Sequence, residues 1–203
     1  MPHKITVLGS GDMGSALVEA LTKRTHHKIA VRGSHQDSIS AQALVKQFNV
    51  EQATDDILWR SDIVFVVVPT KVLPDIVPLL KKATGILVSV CVSPTVGKDG
   101  AKSSAEQLAE LLPQSRIVNA FTSIWADVIR EPGDVEKTTA FVASDDLAAK
   151  RVILDLANEI GLEGLDNGQL DGALYAEMLG MFVVHLARHV GYGRTITFRA
   201  FKT

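Results

Sequence analysis

Three glycines near the chain start carry the clearest chemical signal. The stretch Gly9-Ser10-Gly11-Asp12-Met13-Gly14 follows the apolar run Ile5–Leu8 directly and opens into helix-forming residues, Ser15 through Lys23. In this spacing the first glycine lets the chain turn sharply off a strand. The second leaves room for a pyrophosphate against the backbone, and the third lets the next helix sit close on the sheet. The free N–H groups of the helix's first turn then face the phosphates, and the helix dipole favours their charge. Glycine turns without a ligand are common. This one lies between a strand and a helix, so a nucleotide site is expected at Gly9–Gly14.

The end of the second strand decides which nucleotide. An NAD site would place Asp or Glu about twenty residues past the glycines, accepting from the ribose 2′-OH. Here the chain reads Ala30-Val31-Arg32-Gly33-Ser34-His35, with no acid. Arg32, Ser34 and His35 can all donate to a phosphate, and the planar Arg32 guanidinium can also stack on adenine. NADP is therefore preferred over NAD, and Asp37 reads as the cap of the following helix. The later strand ends offer Val68-Pro69-Thr70, Val92-Ser93-Pro94-Thr95 and Thr122–Trp125. These are hydroxyls, prolines and an indole, which is meagre equipment for acid–base or nucleophilic catalysis. It suffices where a cofactor does the chemistry and the protein positions it, so no catalytic side chain is assigned.

Other reactive residues read as structural. Cys91 is the single cysteine and lies in an apolar strand, where a small buried hydrophobe is expected. His185 and His189 share a helix face, but the His-Glu-x-x-His pattern is absent, so a partly exposed face is preferred to a metal pair.

The elements that must position these groups follow from the pattern of apolar residues. Strands are expected at the chain start, at Lys28–Val31, Val50–Ala53, Asp62–Pro69, Ile86–Val92, Arg116–Phe121 and Thr138–Ala143. The run Ile63–Val68 is continuously apolar, as befits a parallel strand covered on both faces. Helices are expected at Ser38–Phe48, at Val72–Lys82 with a bend at Pro78, and after the capping box Ser103–Glu106. A further helix follows Ser144, with Gly161 as its left-handed cap. Thr95–Ala101 reads as a mobile loop. This alternation predicts an α/β doubly wound parallel sheet, one Rossmann domain over residues 1–203, with a small helical C-terminal extension from about residue 162.

Composition agrees. The 203 residues are 46% hydrophobic and 22% charged with a net charge of −2, so a sizeable core is available and nucleic acid is a poor partner. The chain enters its first strand almost at once, so no signal peptide is expected, and no apolar run is expected to reach the length of a membrane span. A soluble, cytoplasmic protein is expected. Leu170–Val190 is apolar on nearly every side, which calls for burial against the sheet together with a second subunit or a ligand cleft.

These motifs together resemble a known family. Gly9–Gly14, Arg32-Gly33-Ser34, Ser103–Ala109, Asn119–Thr122, Asp166–Leu170, Gly191–Arg194 and the closing Phe198–Phe201 are similar to the NADPH-dependent reductases of the deazaflavin coenzyme F420. The cytosolic reductase domain of the STEAP metalloreductases belongs to the same broad group. The resemblance implies an oxidoreductase that moves hydride between NADP(H) and coenzyme F420, a flavin or a similar small acceptor. It implies pyrophosphate contacts from Gly9 to Met13 and adenosine-phosphate contacts from Arg32 to His35. Val68–Thr70 and Val92–Thr95 would flank the nicotinamide ribose and ring. Three positions depart from the family pattern: Arg32 precedes the Gly-Ser pair, and Gln169 and Leu174 stand where the family has proline and arginine. The competing expectation is a non-catalytic NADP(H)-sensing module whose apolar C-terminal helix docks a partner. A homodimer through that helix is consistent with either reading.

Overall fold

A computed structural model describes residues 2–35, 38–133 and 137–201. Its sheet is built from β1 (Lys4–Leu8), β2 (Lys28–Arg32), β3 (Glu51–Gln52), β4 (Ile63–Val66), β5 (Ile86–Ser89) and β6 (Arg116–Asn119). All neighbours are parallel and the order is β3-β2-β1-β4-β5-β6. This is the doubly wound Rossmann arrangement, and its direction of winding reverses between β1 and β4. A ligand crevice is expected outside the carboxyl ends at that point.

The crossovers place helices on both faces. They are α1 (Asp12–Arg24), α2 (Ile39–Phe48), α3 (Asp55–Trp59), α4 (Leu73–Leu80) and α5 (Ser104–Leu111). The chain continues through α6 (Ala126–Arg130), β7 (Thr139–Val142), α7 (Leu147–Glu159), β8 (Glu163–Asp166) and α8 (Ala173–His185). Two buried clusters result. One packs α1, α6 and α7 on the face carrying Ile5, Val7, Phe65 and Val88, and the other packs α4 and α5 on the face carrying Leu8, Val64, Val66 and Leu87. Alternate residues of one strand feed opposite clusters, which is why the central strands are apolar without a break.

Several expectations are corrected in detail. Thr138–Ala143 does not extend the main sheet: β7 pairs in parallel with β8, a strand the sequence reading lacked, and touches β6 through a single antiparallel bridge, Asn119 to Ala143. The short helices α3 and α6 were also not anticipated, because five residues are too few to show a period. Asp146, not Ser144, caps α7 by accepting from Ala149 N at 2.9 Å. Ser144 instead donates to Ile117 O at 2.6 Å. Asp37 lies outside the described residues, and Ser38 caps α2. Pro78 sits inside α4, which ends two residues later at Leu80. Thr95–Ala101 is a run of turns.

Leu170–Val190 is one continuous helical segment: a 3-10 turn, then α8, then a π-helical turn. By length and composition alone it would serve as a membrane span, contrary to the expectation that no segment would. In the fold 44% of its most apolar 18-residue window is buried. Within it Glu177 is fully buried and bonded to the sheet domain, which ties the segment to the protein rather than to lipid.

Candidate functional site at the carboxyl ends of the strands

The glycine loop has the geometry its spacing demands. Gly9 sits at φ +127° against β4, where any Cβ would collide with Val67 O. A Cβ on Gly14 would collide with Gly9 O, so α1 lies directly on the turn. Gly11 differs: a Cβ there would meet nothing within 4 Å. Open space at the middle glycine is where a pyrophosphate can reach the backbone. Gly11 also N-caps α1 without any side-chain cap, leaving first-turn N–H groups available to an anion. A bound dinucleotide therefore fits this loop. Gly9 N donates to Arg32 O at 2.8 Å, which ties the loop to the end of β2.

At that end the groups divide. Ser34 and His35 are exposed, whereas Arg32 is buried and its Nη1 is paired with Asp55 at the start of α3. Its Nε is buried without a partner among the described residues. Ser10 lies beside them, its hydroxyl 2.6 Å from Ser40 Oγ and 3.2 Å from Ser38 Oγ. Asp12, in the first turn of α1, pairs with Arg130 at 2.8 Å and also with Arg194 of the C-terminal tail. Burial works against ionisation of Asp12, but the two guanidiniums outweigh it and hold the carboxyl below its ordinary range.

The other half of the crevice is closed by α8. A cavity of about 270 Å³ opens between Met13, Val67, Val68, Val90, Cys91 and Val92 on one side and Phe121–Trp125, Gly180, Val183 and Val184 on the other. Phe121, Trp125 and α8 wall this space. Pro69, Thr70 and Pro94 do not line it. Thr70 has a supporting place instead, donating to Val92 O at 3.2 Å and lying 3.1 Å from Ser104 Oγ. Ser93 is buried, its hydroxyl 3.1 Å from Thr95 Oγ1, while Pro94 and Thr95 are exposed.

The cavity wall is chemically quiet. Cys91 donates to Val68 O at 2.8 Å, and burial pushes its thiol up to about 12. Phe121, fully buried, holds φ +64° at the strand end, a left-handed conformation a bulky residue seldom adopts. Trp125 Nε1 is buried with no partner among the described residues, and the guanidiniums of Arg194 and Arg188 lie 5.2 and 5.8 Å from its ring. His185 and His189 stand outside on an exposed face, their rings 5.4 Å apart.

One residue beside the cavity was not singled out by the sequence reading: Glu177, a lone carboxylate within the apolar stretch Leu170–Val190. In the fold it is wholly buried and accepts from Ser93 N, Ser104 N, Ala105 N and Ser104 Oγ, at 2.9, 2.8, 3.4 and 3.2 Å. Burial raises its carboxyl above the ordinary range, against the pull of these four donors.

Comparison with known proteins agrees with the geometry. Residues 4–93 match the family model described as NADP oxidoreductase coenzyme F420-dependent. The chain is 26% identical over 204 residues to the F420-dependent NADP reductase of Methanocaldococcus jannaschii, covering 90% of this chain and 92% of that one. It is 27% identical over 186 residues to the mouse metalloreductase STEAP2, covering 91% of this chain but only 37% of that protein. The chain thus spans little more than a third of the STEAP2 length. A crystal structure from Arthrobacter sp. FB24, named as a candidate F420-dependent NADP reductase, superposes with TM-score 0.81 at 21% identity, covering 98% of this chain and 100% of that one. The 3-hydroxyisobutyrate dehydrogenase of Mycobacterium tuberculosis superposes with TM-score 0.71 at 14% identity, covering 94% of this chain and 62% of that one. At such identities the two structures speak for the Rossmann fold. Over residues 4–93 the chain is similar in sequence to the F420-dependent NADP oxidoreductases.

Proposed function

We propose that this chain is an NADP-linked oxidoreductase that moves hydride between NADP(H) and a flat acceptor, a deazaflavin such as coenzyme F420 or a flavin. One observation carries the reading. A cavity of about 270 Å³ opens at the strand ends beside the glycine loop, and among the described residues no carboxylate, imidazole or amine lines it. The nicotinamide dinucleotide, when bound, supplies the redox chemistry. The chain's own residues bind, orient and dry the reactants. Gly9–Gly14 with the first turn of α1 takes the pyrophosphate. Arg32, Ser34 and His35 take the adenosine phosphate, while Val68–Thr70 and Val92–Thr95 flank the nicotinamide. The apolar wall excludes water, and Trp125 Nε1–H is available to a polar atom of a bound ring. With the Cys91 thiol pushed up to about 12, the wall offers no thiolate at neutral pH.

NADPH deuterated on one face of the nicotinamide, mixed with F420 or FMN, tests the reading. The NADP⁺ formed should have lost the label from one face only. With F420, whose accepting atom is a carbon, the deuterium should stay on the reduced acceptor, whereas a reduced flavin's N–D exchanges with water. Absence of transfer to any acceptor in a panel, despite NADPH binding, would favour a second reading, an NADP(H)-sensing module. That alternative draws on the exposed Tyr175, Met178 and Phe182 of α8, a face suited to a partner or to a second copy of the chain.

A further inference from the structure

A buried carboxylate with no part in the chemistry needs a reason. The four donors to Glu177 come from two separate segments, the loop after β5 and the first turn of α5, between 72 and 84 residues away in sequence. Ser104 carries the connection onward, since its hydroxyl also meets Thr70, which in turn holds Val92 O. One side chain thereby ties the loops after β4 and β5 to α8. One turn further along α8, a Cβ on Gly180 would collide with Thr122 O, so the helix is seated against the loop after β6 as well. Val183 and Val184, the next turn, line the cavity.

All four contacts to Glu177 are N–H or O–H groups, so the site is made for a carboxylate that only accepts. Glutamine has the same shape but one acceptor oxygen, and its amide nitrogen would face a backbone N–H, donor against donor. Burial of the charge works against the carboxylate, so folding alone does not favour it here. Its value lies in what it fixes.

We propose that Glu177 is a positioning residue: it holds the Val92–Thr95 loop and α8 in one register and thereby sets the pose of the nicotinamide ring. This rests on the reading that a nicotinamide dinucleotide lies along these strand ends. The pyrophosphate and adenosine contacts lie on the other half of the crevice, so affinity and ring pose are separable.

The test uses Glu177→Gln, with Ser104→Ala as a second variant that removes one donor and the Thr70 link. NADPH is the probe. Its affinity should change by less than about threefold, since most of its binding energy comes from remote contacts. The bound nicotinamide should lose its fixed pose, seen as fluorescence anisotropy and lifetime moving toward the free values. Amide exchange at Ser93, Ser104 and Ala105 should quicken by about ten- to a hundredfold as buried donors lose their acceptor. Exchange in β1 and β4 should not move. Local exchange and nicotinamide fluorescence both unchanged in a folded variant would overturn the proposal. So would exchange that rises equally throughout the sheet, which marks a merely structural residue. If Glu177→Gln does not fold, Ser104→Ala decides by the same readouts. Failure of the wild type to bind NADPH would instead defeat the proposed function, and unchanged local exchange in the variants would still defeat the link between Glu177 and the loops.

Discussion

Arg32 sits in a setting that its place in the sequence did not announce. Its place relative to the glycines marks it as a phosphate reader, yet it is buried and already paired with Asp55. Asp55 belongs to α3, a five-residue helix with no periodicity to announce it, so the pair could not be read from the sequence. If Arg32 also contacts the 2′-phosphate, Arg32→Ala should weaken NADPH about ten- to a hundredfold and leave NADH nearly unchanged, as expected for a charge-assisted contact of about 1.5–3 kcal/mol. Calorimetric titration of both nucleotides checks this, and equal wild-type affinities would refute the assignment. Stability should fall little, because Asp55 is half-exposed and can return to water. Glu177 makes a different prediction, about pH. Burial raises its carboxyl above the ordinary 4.5, so the folded state binds the proton more tightly than the unfolded chain does. Its contribution to stability is therefore greatest below pH 4.5 and declines as pH rises through the raised folded value. Glutamine has no such dependence. The melting-temperature difference, wild type minus Glu177→Gln, should be largest in acid and shrink toward neutrality, and a difference that grows with pH would contradict the sign.

At the scale of elements, the sequence was legible where local contacts make the structure. The glycine turn is one case, since the carbonyl that excludes a Cβ at Gly14 belongs to Gly9 in the same turn. The continuous apolar strands are another, because burial on both faces leaves no polar position. What stayed hidden depends on distant partners: the pairing of β7 with β8, and the seating of α8 by Glu177 and Gly180. Gly180 is informative because two effects oppose each other there. Within a helix, alanine is favoured over glycine by about 1 kcal/mol. Here the new methyl would meet the Thr122 carbonyl, and overpacking of this kind costs about 1–3 kcal/mol. The collision should win, so Gly180→Ala should lower the melting temperature and disturb the bound nicotinamide. A rise in melting temperature would mean that α8 is free to move away from the β6–α6 turn. Phe121 belongs to that turn and packs on Phe65 with ring centroids 5.9 Å apart. Phe121→Ala should cost about 3–5 kcal/mol in denaturant unfolding, because the buried ring is lost while alanine, which also carries a Cβ, keeps the left-handed strain.

Across the whole molecule, the C-terminal tail connects parts that the chain order keeps apart. Arg194 reaches Asp12 at the glycine loop and Asp127 on α6, with its guanidinium over Trp125 at the cavity wall. Beyond it, Phe198 O accepts from Thr139 N at 3.1 Å, Ala200 N donates to Thr139 Oγ1 at 2.9 Å, and Thr197 Oγ1 donates to Thr138 Oγ1 at 2.9 Å. The tail therefore lies along the side of β7 that β8 leaves open, and Phe198 packs its ring on Phe182 of α8. None of this was legible in a closing stretch with no apolar period, because the partners of Arg194 lie 67 and 182 residues away. An uncovered strand edge offers unpaired N–H and C=O groups to any other strand. Deletion of residues 191–203 should therefore act at two places and spare a third. The Thr139 amide should exchange faster, and the protein should associate with rising concentration through the bared β7 edge, as measured by light scattering. Asp12, deprived of Arg194 but still paired with Arg130, should titrate at higher pH than in the intact chain. The six-stranded sheet draws its core from strands and helices that precede the tail, so amide protection in β1, β4 and β5 should persist. Loss of protection throughout the sheet would show instead that the tail is required for the fold as a whole.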